Sequence, residues 1–142
     1  MNTSILAPAA VLVAWSLIML LWLAGTRFPA IFKSGMDLKA APPGGRGADL
    51  EGILPANVNW KSHNYTHLME QPTIFYAVVL ILAVANESTP MLVNIAWGYT
   101  ILRIIHSLYQ SIINVVMVRF GIFVLATICL AILAINAVLA TI

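Results

Sequence analysis

The sequence predicts an all-α integral membrane protein, a bundle of four spans. Of its 142 residues 61% are hydrophobic and only 8% charged, whereas soluble domains run near a quarter charged. The mean hydropathy is +0.95, and a soluble chain this small has too much surface for its volume to hide that much apolar area. The apolar residues also fall into four runs separated by polar or turn-rich stretches, and a bilayer core demands about 20 such residues per helix.

The first span covers about residues 5–25, from Ile5 to Gly25, and carries no charge. It is too long for a signal-peptide core and lacks a basic leading segment, so it reads as a retained helix. Residues 26–60 form a polar loop, whose Pro42-Pro43-Gly44-Gly45 run will not continue a helix. The second span covers about 61–85, polar in its first half and apolar in its second, with Pro72 expected to bend it. The link Asn86 to Pro90 breaks the pattern. The third span covers about 91–110 and the fourth about 118–142. Short links make successive spans antiparallel, so residues 1–142 read as one bundle.

Eight of the twelve charged side chains lie in residues 27–61. They form no basic stripe with aromatics, which argues against nucleic acid as a partner. Loop one carries the Lys/Arg excess and Arg119 lies by loop three. The positive-inside rule therefore puts both loops in the cytoplasm and both termini outside it. The lone cysteine, Cys129, sits in an apolar run and reads as packing.

The polar residues inside the spans are the informative ones. His63, His67 and Glu70 recur at i, i+4 and i+7 and project from one helix face. Tyr99, Arg103, His106 and Gln110 form a second stripe on the third span, and Arg119 adds a cation to the fourth. A charge left in lipid costs about 2.5–3.5 kcal/mol even on the lenient insertion scale. The simplest arrangement pairs Glu70 with Arg103. Such a pair can merely set helix register. Two arginines exceed one glutamate, however, and the surplus positive charge suits an anionic ligand. His63, His67 and Glu70 also have a spacing that suits zinc or iron, but the arginines repel a divalent cation, so no metal is expected.

These features resemble the MAPEG family (membrane-associated proteins in eicosanoid and glutathione metabolism), in its bacterial branch. The likeness covers nearly the whole chain. It is most specific in His63-Asn64-Tyr65-Thr66-His67-Leu68-Met69-Glu70-Gln71-Pro72-Thr73-Ile74-Phe75-Tyr76, which resembles the family's second-helix signature. Arg103-Ile104-Ile105-His106, followed by Arg119-Phe120, is similar to the arginine-histidine motif of its third helix and the later arginine of its fourth. The resemblance implies a homotrimer in a bacterial inner membrane, with glutathione as cofactor between adjacent subunits. It implies that Arg119 is catalytic and stabilises the glutathione thiolate. Glu70, Arg103 and His106 correspond to ligands of the tripeptide, and His63, His67 and Tyr99 are expected to join them. His63 stands where catalytic members usually carry arginine, His67 where they carry asparagine, and Phe120 where they carry serine.

The function expected is that of a membrane transferase or peroxidase, using glutathione or another thiol against lipophilic electrophiles drawn from the lipid. The competing reading is a non-enzymatic protein that binds a lipid or a partner on the same scaffold. A transporter fits less well, because the sequence lacks paired broken helices.

Overall fold

The computed structural model describes residues 2–142. Five helices make four spans: α1 (Leu6–Lys33), α2 (Ala56–Leu68) with α3 (Gln71–Val84), α4 (Pro90–Ile112) and α5 (Val116–Thr141). The fold is an all-helical membrane four-helix bundle. It belongs to an integral, multi-pass membrane protein.

Helix α1 runs past the expected end at Gly25 to Lys33. Its 28 residues reach about 42 Å at the α-helical rise, longer than a hydrocarbon core of about 30 Å. The last two turns therefore stand in the interface, where water tolerates Arg27 and Lys33. Lys33 there also complements the helix dipole. The remaining loop is shorter than the sequence suggests and contains two 3-10 turns, Leu38–Ala40 and Gly47–Leu50.

The bend expected at Pro72 is a full break at Met69 and Glu70. Pro72 has no amide proton, and its ring clashes with the carbonyl four residues earlier, that of Leu68. Glu70 accordingly leaves the helical region, with φ −89° and ψ −95°. Helix α4 starts where Thr89 Oγ1 accepts from the Leu92 amide at 3.3 Å, with Pro90 in the first turn. Asn86 and Asn114 close the two short links in the left-handed region, at φ 62° and 60°.

Most of the buried core is apolar, and Leu12, Phe75, Val79, Leu82 and Leu133 are at its centre, but large apolar side chains also cover the outside. Leu21, Val84 and Leu139 are more than 70% exposed, as lipid-facing positions are in a solvent already apolar. The buried face of α4 is apolar at its start, with Leu92 and Ala96, and polar beyond: Thr100, Arg103, His106, Ser107 and Gln110 all point inward. Helix α4 packs against α1, α2 and α5, and side-chain hydrogen bonds pin it. Trp15 Nε1 on α1 donates to Ser107 Oγ at 3.1 Å, and Thr100 Oγ1 donates to the Pro8 carbonyl at 2.9 Å. Tyr99 stacks on Phe75 at 4.3 Å and donates to Gln71 Oε1 at 3.0 Å. Gln71 Nε2 then donates to Thr127 Oγ1 at 3.0 Å, linking α4 to α3 and α5. Tyr99→Phe is expected to destabilise the bundle by about 0.5–1.5 kcal/mol, the range of interhelical bonds in membranes. Unfolding by SDS in mixed micelles measures it, and an unshifted midpoint would show that this relay adds nothing.

Asn2 and Ser88 exchange hydrogen bonds, Asn2 Nδ2 to the Ser88 carbonyl at 3.3 Å and Ser88 Oγ to the Asn2 carbonyl at 2.9 Å. The α3–α4 link thus lies at the end of the bundle where α1 begins. The loop after α1 and the α4–α5 link lie at the opposite end.

Candidate functional site

At that opposite end a cavity of about 460 Å³ opens between α2, α4 and α5, within the ~300–1,000 Å³ of small-molecule sites. His63 and His67, one helical turn apart, form its α2 wall, and His106 and Gln110, also one turn apart, its α4 wall. Helix α5 contributes Arg119 and an apolar side of Val116, Phe120 and Phe123. No carboxylate lines the cavity.

Arg103 lies directly behind His67 and is completely buried. Its Nη2 donates to His67 Nδ1 at 2.8 Å and to the His67 carbonyl at 3.2 Å. Since a guanidinium only donates, His67 Nδ1 is the acceptor and its ring proton sits on Nε2. The His67 carbonyl lies at the α2–α3 break, where it also accepts from the Glu70 amide at 3.3 Å. The His67 ring stacks on His106 at 4.8 Å, and Phe123 meets its edge at 5.4 Å. The Arg103 guanidinium carbon lies 5.8 Å from the centre of the Phe123 ring, a cation–π contact. Arg103 Nε and Nη1 are buried without partners, a costly arrangement for a charged group. Arg119 is half-buried, and its Nη1 donates to Asn114 Oδ1 at 2.9 Å.

The structure thus gathers His63, His67, His106 and Arg119 around one cavity and seats Arg103 behind it. The expected Glu70–Arg103 pair does not form. The single carboxylate contact to a basic side chain among the described residues joins Glu51 to His63. The break before α3 takes Glu70 out of helical phase with His67, and its side chain is exposed. Tyr99 faces Phe75 and Gln71 in the core and does not line the cavity.

Three contributors escaped the sequence reading. Phe123 had a legible signal, since it follows Arg119 by one helical turn. Asn114 had only a weak one, an asparagine in a short link. Glu51 had none, because its contact with His63 depends on how the long loop folds back. Cutting that contact with Glu51→Gln is expected to loosen the loop beside His63, read as faster backbone amide exchange over residues 47–54; unchanged exchange would show that the pair holds nothing.

No curated protein matches the chain, and no solved structure does. The family model that matches covers residues 5–139, taking in the first three spans, all but the last two residues of the fourth and every cavity residue, and on that match the chain belongs to the MAPEG family.

Proposed function

We propose that the protein is a membrane transferase or peroxidase that uses glutathione, or another anionic low-molecular-weight thiol, against a lipophilic electrophile. The observation that carries this reading is the polarity of the cavity: the Arg119 guanidinium and three imidazoles line it, the Arg103 guanidinium backs it, and no carboxylate is among its lining residues, Glu51 reaching only the outer His63. Family membership supports a glutathione-related role in general terms.

The bound thiol supplies the nucleophilic sulfur, active only as thiolate. Arg119 stabilises that thiolate and withdraws little from it, since only one guanidinium nitrogen is engaged by Asn114. Arg103 holds the His67 ring from behind and leaves Nε2–H free to donate to the ligand. His106 backs that ring by stacking, and His63 stands at the mouth. Val116, Phe120 and Phe123 offer the electrophile an apolar approach from lipid. In the transferase reaction an S–C bond forms while the electron pair of the bond broken leaves with the displaced group.

The homotrimer in the bacterial inner membrane, with the cavity on the cytoplasmic side and the termini outside, is part of the same proposal. Glu70 and Phe120 are exposed in the single chain, which leaves both for a neighbouring subunit and for the ligand between them. Isothermal titration of glutathione into the detergent-solubilised protein tests the reading. Saturable binding supports it. A flat isotherm from folded protein overturns glutathione as the thiol, and flat isotherms with cysteine and coenzyme A as well overturn the thiol reading. The apolar wall would then favour the non-enzymatic lipid-binding reading, and binding of a fluorescent fatty acid without turnover would carry that alternative.

A further inference from the structure

Away from the cavity between α2, α4 and α5, the loop after α1 folds back on the end of that helix and borders a second, half-open space of about 830 Å³. Arg27 and Arg46 face it, with Leu38, Pro42, Leu50 and Ile53 among its walls. Gly47 lies so close over Arg27 that a Cβ there would sit 2.8 Å from Arg27 Nη1. The Arg27 Nε is buried and has no hydrogen-bond partner. Neither arginine forms an ion pair among the described residues. The two carboxylates lining the space are turned to the loop's own backbone: Asp37 Oδ1 accepts from the Lys39 amide at 3.0 Å and Asp49 Oδ2 from the Arg46 amide at 2.8 Å.

Depth in the membrane says what such a space meets. Arg27 follows the uncharged stretch ending at Gly25 by two residues. Five residues before it, Trp22 carries the Lys61 ammonium 5.2 Å from its ring centre, the kind of pairing found at headgroup level. The exposed Phe28 and Phe32 follow on the same helix. A guanidinium fork at that level matches a phosphate bidentately, and the apolar walls match the glycerol and upper chain attached to it.

We propose that the loop pocket holds the headgroup of a phospholipid, its phosphate on Arg27 with Arg46 as second cation. The lipid thereby fastens the loop to the membrane surface, independently of any ligand between α2, α4 and α5.

Native mass spectrometry of the intact detergent-solubilised protein tests it. The probes are dihexanoyl phosphatidylglycerol, phosphatidylethanolamine and phosphatidylcholine, with inorganic phosphate as the chain-free control. At least one of the three lipids is expected to bind saturably, and Arg27→Gln to weaken it about tenfold, the loss of roughly one charge-assisted contact. Gly47→Ala keeps the charge but pushes the guanidinium aside, and is expected to weaken the same lipid by a similar factor. Binding that survives both substitutions overturns the assignment, as does the absence of saturable lipid binding. Equal competition by inorganic phosphate at the lipid's own concentration overturns the lipid and leaves a site for free phosphate.

Discussion

Arg119→Ala is expected to lower kcat/KM for conjugation of glutathione to a lipophilic electrophile by about 10²–10³, the usual cost of removing one donor from a developing or fixed anion. A free thiol has a pKa near 8.5, so without the guanidinium only a small fraction is thiolate at neutral pH. The deficit should therefore shrink as pH rises, because hydroxide then supplies what the arginine did. A rate-pH profile of wild type against variant separates this from a folding defect, which would not recover at high pH. Asn114→Ala is expected to give a weaker version of the same profile, because it frees Arg119 Nη1 from the 2.9 Å bond that orients it. A variant at position 119 with wild-type rates across the pH range would sink the role assigned to this arginine.

The second large effect concerns Arg103, and its direction is less obvious. Burying a cation without a counter-charge is expensive, and replacing it with an apolar side chain of similar length is often neutral or stabilising. Arg103 is 0% exposed, has two unpartnered nitrogens, and keeps only the two bonds to His67. Arg103→Met is therefore expected to leave the ligand-free Tm unchanged or raised, while abolishing the glutathione isotherm. Stability and binding would then part company, the signature of a residue retained for its ligand. If the Tm instead fell by more than ~5 °C, the range that about 1 kcal/mol produces in a small domain, with binding kept, Arg103 would be a structural residue that ties α4 to α2.

Much of the molecule is legible in the sequence. Hydropathy marked the four spans, because a bilayer imposes a minimum apolar length that few other constraints imitate. The helical period put His63 with His67, and Arg103 with His106, on common faces, and the structure keeps both pairings. Helix α1 outlasts its uncharged run, which ends at Gly25, because apolar length measures the bilayer and not the helix, and the turns to Lys33 lie beyond it. Pro72 announced a disturbance, yet not its size.

What the sequence determined by itself is therefore the solvent of each segment and the face of each polar residue within an unbroken helix. Both follow from local chemistry and a fixed period. Only the tertiary structure decided which partners those faces meet. The break at Glu70 replaced an expected carboxylate–guanidinium pair with a histidine–guanidinium contact. The return of the long loop set Glu51 against His63 and Gly47 against Arg27. These contacts join residues distant in the chain, and no spacing rule carries across a broken helix or a folded loop.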